Sequence, residues 1–137
     1  MALMKGLKGI KRGVDIHHGK NTEELETVKM PVPSKVVIPM LQHIGAPCTP
    51  TVKKGDMVKV GQLIGESKAN VSALVHSSVS GTVTNIIEIT GPSGSPIQAI
   101  EIETDGLQEI HEDVKPPRET NRKEFVEAIR MSGLVGL

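Results

Sequence analysis

Apolar residues in this chain come in short runs, and glycine, aspartate and serine cut the runs. From Val52 the order is V-K-K-G-D-M-V-K-V-G-Q-L-I-G-E, then S-K-A-N-V-S-A-L-V, then H-S-S-V-S-G-T-V. Lys54-Gly55-Asp56 and Val60-Gly61-Gln62 place two glycine-centred turns six residues apart, and Ser80-Gly81 launches a further β-branched run from Thr82 to Ile89. Short runs of this kind predict strands joined by tight turns. Glycine supplies the positive φ that such turns need. Upstream, Val36-Val37-Ile38-Pro39 predicts a first strand ended by its proline. Downstream, Ile97, Ala99, Ile100 and Ile102 stand against Gln98, Glu101 and Glu103, which predicts a strand with one wet face closed by Asp105-Gly106. Gly91 to Pro96 reads as a turn between the last two strands and not as a phosphate cradle, because no helix follows it.

The pattern changes near the carboxyl end. His111 to Glu119 is charged and contains Pro116-Pro117, the composition of a semi-rigid linker. Thr120 then caps a helix from about Asn121 to Met131, with Phe125, Val126 and Ile129 on one face and Ser132-Gly133 as its stop. A helix of that length is marginal in water, so it is expected to be loosely held unless something covers its apolar face. Met1 to Met30 is polar and carries four glycines, and Pro31-Val32-Pro33 opens the folded part. The expected organisation is an arm at 1–30, a strand domain at 31–105, a linker at 106–119 and a helical segment at 120–137.

Composition narrows the function classes. A chain of 137 residues suits one domain with a tail. Formal net charge is zero, so no field draws the chain to nucleic acid or anionic lipid. Phe125 is the only aromatic residue, which removes base-stacking platforms and makes the core aliphatic. Cys48 is the only cysteine, so no internal disulfide forms and no iron–sulfur cluster can be ligated by this chain alone. No apolar run approaches the ~20 residues of a membrane span.

Candidate chemistry is sparse. His17 and His18 are adjacent, so on an extended chain they point apart, and no third ligand with zinc spacing lies nearby. No metal site is expected. His43 and Cys48, five residues apart, could be read as base and nucleophile. Nucleophilic catalysis also needs an orienting partner and an oxyanion site, and the sequence offers neither. No catalytic residue is assigned. His17, His18, His43 and Phe125 are kept as candidate contact residues.

The turns carry a resemblance. A K-G-D-x-V-x-x-G-Q hairpin facing an S-G-x-V hairpin resembles the barrel-sandwich hybrid of biotinyl and lipoyl carrier domains, which implies a mostly β fold. In those carriers a modified lysine sits at the tip between the hairpins. Here the tip reads Glu66-Ser67-Lys68-Ala69-Asn70-Val71, and Lys68 lacks the flanking methionines of a biotinyl site. Lys68 is therefore read as an ordinary solvated lysine, with an unmodified carrier domain kept as one alternative.

A longer resemblance covers nearly the whole chain. The order R-G-x-x-x-H, V-V-I-P-x-x-Q-H-I-G-A-P, V-K-x-G-D-x-V-x-V-G-Q-x-I-G-E and S-A-x-x-H-S-S-V-S-G-x-V is similar to the RnfC subunit of the Rnf electron-transport complex. The usual R-G-G-I-H-P opening reads Arg12-Gly13-Val14-Asp15-Ile16-His17 here, which keeps open an RnfC-like protein serving a soluble reductase. The resemblance implies an amino-terminal region whose Leu134 to Leu137 leads into a flavin- and NADH-binding domain. It implies FMN, NADH and two 4Fe-4S clusters in the longer protein and none in this stretch. It implies partners among the other subunits and a peripheral place on the cytoplasmic face of the membrane. Ser80-Gly81-Thr82-Val83 departs from the S-G-A-T motif at which other subunits of that complex carry flavin, so a strand start is expected there.

Overall fold

The computed structural model describes residues 19, 21–116 and 121–135. The chain divides into two compact units, Met1–Met30 and Pro31–Leu137. In the first, the described residues form an exposed turn in which the Leu25 amide donates to the Thr22 carbonyl at 3.2 Å. His17, His18 and Thr120 lie outside the described residues.

The described residues of the second unit form seven strands and one helix: β1 (Lys35–Pro39), β2 (Thr49–Pro50), β3 (Met57–Val58), β4 (Leu63–Glu66), β5 (Val75–His76), β6 (Gly81–Thr90), β7 (Pro96–Thr104) and α1 (Arg122–Met131). All ladders between these strands are antiparallel. One sheet runs β1-β7-β6-β3 and the other β2-β4-β5. The expected strands at 36–39, 82–89 and 97–104 are all present, and Gly91 to Pro96 forms the β6–β7 hairpin turn.

The core is aliphatic. Met40, Ile64, Val83, Ile100 and Ile102 are essentially inaccessible to solvent, and Ile38, Val58, Val75 and Val79 complete the cluster. Each large aliphatic side chain removed from water contributes roughly 1.5–3 kcal/mol. The wet face of β7 is tied across the sheet. Glu101 accepts from Lys35 of β1 at 3.0 Å and from the Thr84 hydroxyl of β6 at 2.8 Å.

Two turns of identical design frame β3. In Lys53-Lys54-Gly55-Asp56 the Asp56 amide donates to the Lys53 carbonyl at 3.1 Å, and the Asp56 carboxylate accepts from the Lys53 amide at 2.9 Å. In Lys59-Val60-Gly61-Gln62 the Gln62 amide and side chain make the same two bonds to Lys59, at 3.1 and 2.9 Å. Both central glycines have positive φ, +95° at Gly55 and +79° at Gly61. The side chain at the fourth position closes the turn on the first, which is why Asp and Gln occupy it. The first turn then pairs with Val83 and the second with Ser77, both through reciprocal backbone bonds of 2.8–2.9 Å.

β1 lies at a sheet edge. It ends in Pro39, which has no amide hydrogen to offer outward, and begins with charged Lys35. The segment after β7 stays on the sandwich. The buried Ser80 hydroxyl donates to Asp105 at 2.6 Å and accepts from the Glu109 amide at 3.0 Å. Val60 and Ile110 form a parallel bridge, and Lys59 meets Glu109 at 2.6 Å.

Candidate functional site

The hairpin tip between β4 and β5 is held by the loop that follows β1. The Ala73 amide donates to His43 Nε2 at 2.8 Å. A ring nitrogen that accepts carries no proton, so Nδ1 carries it and donates to the Ile44 carbonyl at 3.0 Å. The Ala73 carbonyl accepts from the buried Cys48 thiol at 3.0 Å. Ala73 thus has its backbone donor held by His43 and its backbone acceptor held by Cys48. The Ala46 amide donates to the Val71 carbonyl at 3.0 Å, and the Ser72 hydroxyl donates to the Ala46 carbonyl at 3.0 Å. His43 and Cys48 meet at Ala73 as a brace. Among the described residues neither bonds the other, so they do not form the base–nucleophile pair weighed from the sequence.

The far wall of the site is α1. Its N-cap is Asn121, whose side chain accepts from the Lys123 and Glu124 amides at 3.0 and 3.1 Å. The expected Thr120 cap is thus displaced by one residue. Ser132 ends the helix, and Gly133 follows at φ +67°. No helix residue is buried; Phe125 remains 54% exposed, whereas Ile129 is 37% exposed. The last turn approaches the sandwich closely. A side chain on Gly133 would put its Cβ 2.6 Å from the Leu74 carbonyl. His76 of β5 faces this last turn: the same Cβ would lie 3.3 Å from its Nδ1, and it shares a crevice lining with Met131. Burial pushes the His76 imidazole below its ordinary pKa, and the Met131 carbonyl, which favours the charged ring, offsets this only in part.

Three hollows surround these contacts. A crevice of about 720 Å³ between β4, β5, α1 and the segment after β7 is lined by His76, His111, Asp113 and Met131 among others. His111 Nδ1 lies 3.6 Å from the Asp113 carboxylate. A small hollow of about 200 Å³ brings His43 and His76 together beside Gly133. A groove of about 350 Å³ runs between the hairpin tip and α1, with Lys68 on one wall and Arg130 on the other. Phe125 lines none of these three. Among the described residues no group of three or more His, Cys, Asp or Glu side chains could hold a metal ion, and no helix is long and apolar enough to cross a membrane.

The sandwich, its two matched turns and the S-G launch of β6 form a framework that can be compared with known families. The sequence model of the family described as "RnfC Barrel sandwich hybrid domain" matches residues 8–107. The chain belongs to this family. It is 42% identical over 135 residues to the RnfC-type subunit of the proton-translocating ferredoxin:NAD(+) oxidoreductase complex of Clostridium ljungdahlii, covering 96% of this chain and 30% of that protein. It is 51% identical over 84 residues to the Na(+)-translocating counterpart of Acetobacterium woodii, covering 61% of this chain and 19% of the relative. The corresponding subunit of the ion-translocating oxidoreductase complex of Rhodobacter capsulatus is 34% identical over 124 residues, 88% of this chain and 24% of the relative. The chain therefore spans less than a third of the length of these RnfC-type relatives.

Sequence reasoning reached the RnfC turns and strands but missed that His76 faces the end of α1. No local signal links positions 76 and 131. The Ala73 brace was equally hidden, although the proximity of His43 and Cys48 in sequence marked the loop that supplies it.

Proposed function

We propose that this domain is the amino-terminal docking module of an RnfC subunit in a ferredoxin:NAD(+) oxidoreductase complex. The observation that carries the reading is the family match over 8–107, with 42% identity to one named relative across nearly the whole chain. In this reading the longer protein moves electrons between NADH and ferredoxin with ion translocation. FMN and two 4Fe-4S clusters serve it outside this stretch. The module sits peripherally on the cytoplasmic face of the membrane and meets other subunits there. Three features favour a mount over a reaction centre: the tip is braced by His43 and Cys48, the thiol is spent on a carbonyl, and Lys68 sits in a turn without a carrier motif.

The test is co-purification. The tagged chain, co-expressed with the remaining subunits of such a complex, should be recovered with them and should oxidise no NADH by itself. Recovery of the tagged chain alone would overturn the docking role. Intact mass after co-expression with biotin and lipoyl ligases should be unchanged; an added cofactor on Lys68 would assign a carrier role instead.

A further inference from the structure

We propose that the groove between the β4–β5 hairpin tip and α1 receives an acidic, amphipathic polypeptide segment of a partner protein. The proposal deepens the docking role just given and depends on it. The groove has an apolar strip beside polar groups: Leu74 on the tip side and Val126, Ile129 and Leu134 on the helix side make the strip, and Ser67, Asn70 and Ser72 line the tip beside it. Val126 and Leu134 are 57% and 64% exposed, so the apolar lining is open to a visitor. Positions 126 and 129 lie one helical turn apart, the spacing with which one helix presents apolar groups to another segment.

Charge selects the visitor. Lys68 stands on the tip wall and Arg130 on the helix wall, and no carboxylate lines the groove. Among the described residues neither cation has an ion-pair partner. A purely apolar segment would strip water from both cations without offering a counter-charge, which is costly. A basic segment would be repelled. Carboxylates flanking an apolar stripe would satisfy both cations while the stripe covers Leu74, Val126, Ile129 and Leu134. A duplex or single strand of nucleic acid has no place here, because the groove offers two cations and no aromatic platform.

Both walls are already in place. His43 and Cys48 fix the tip at Ala73, and the close approach of Gly133 to Leu74 and His76 seats the end of α1. The groove spans two parts of the chain, since the family match ends at residue 107 and α1 begins at Arg122. Its occupant therefore reads the sandwich and the segment after it together.

The experiment is a titration of the isotope-labelled chain, followed by amide chemical shifts. Three short peptides share one helical leucine stripe and differ only in carrying Glu, Gln or Lys at every other position. The Glu peptide should shift amides on both walls, from Lys68 to Leu74 and from Val126 to Leu134. Lys68→Gln and Arg130→Gln should each weaken it by about twofold to fivefold, the scale of an exposed ion pair. Added salt should weaken it further, the Gln peptide should bind less well and the Lys peptide not at all. Both variants alter exposed side chains, so their unbound spectra should remain those of the folded chain. No shift with the Glu peptide at about 1 mM, the weak end of specific binding, would overturn the proposal. So would equal binding of the Glu and Gln peptides, or shifts confined to other surfaces. Concentration-dependent dimerisation abolished by Val126→Asp would give the groove to a second copy and also overturn it. The co-purification test stands apart: a silent groove in a chain still recovered with its complex removes this proposal alone.

Discussion

A methyl group at position 81 has nowhere to go. Gly81 has φ +156° and opens β6 where Val58 of β3 and Thr104 of β7 flank it, and a Cβ there would lie 2.8 Å from Thr104 Cα. The neighbouring atoms are backbone, which cannot step aside. Gly55 differs: it has positive φ but open space around it. Gly55→Ala should therefore cost roughly 1–2 kcal/mol, the strain of a positive φ alone. Gly81→Ala should cost clearly more, and paired denaturant melts compare the two directly; equal midpoints would mean that β3 and β7 part freely. His76 makes a second prediction. Its folded pKa is depressed, so the neutral ring belongs to the folded state. The contribution is fully present above the unfolded value of about 6.5 and is lost as pH falls through the lower folded value. The His76 ring should accordingly titrate below about 6.5 by NMR. Protonation should loosen the last turn of α1 from the sandwich, seen as faster exchange at Gly133 and Leu134. A midpoint at or above that of a free histidine would show that the Met131 carbonyl, rather than burial, dominates.

At the scale of elements, strands and helix were legible to different degrees. The strands could be read because the matched turns put Gly at the third position and a capping Asp or Gln at the fourth, a local code. The helix could be read from its stop at Ser132-Gly133 and its apolar spacing, with the cap found one residue late at Asn121. Its docking could not be read, because it depends on the approach of Gly133 to Leu74 and His76, far apart in sequence. The expectation of a loosely held helix now acquires a direction. The last turn is anchored, whereas Phe125 near the start is more than half exposed. Amide exchange should show protection falling from Ser132 back toward Phe125. Uniform protection along α1 would mean that its first turns also have cover. Asn121→Ala removes a cap with two acceptor contacts and should cost about 1 kcal/mol of helix stability. An unchanged exchange profile in that variant would show that docking alone sets the helix start.

At the scale of the whole molecule, the segment after β7 reads as a charged linker in sequence but is tied to the sandwich, in part by a buried hydroxyl. Ser80 bridges Asp105 and the Glu109 amide. Nothing local announces this tie, because a serine before a glycine signals a turn first. The bond from Ser80, helped by the Leu107 amide, holds the Asp105 carboxyl below its ordinary range. A depressed carboxylate stabilises the fold above its unfolded pKa, about 3.9, and that contribution fades as pH falls through the lower folded value. Asp105→Asn should therefore lower the melting temperature at neutral pH and flatten the loss of stability below about pH 4. A variant with the wild-type acid profile would show that the tie carries no pH dependence. The aliphatic core has a consequence of another kind. With no Trp or Tyr anywhere and a single Phe on the surface of α1, the chain is nearly dark in the near ultraviolet and has no indole emission. Any flavin, nicotinamide or tryptophan-bearing partner brought to it would be seen against an almost blank spectrum, so its own binding events can be followed without attaching a label to it.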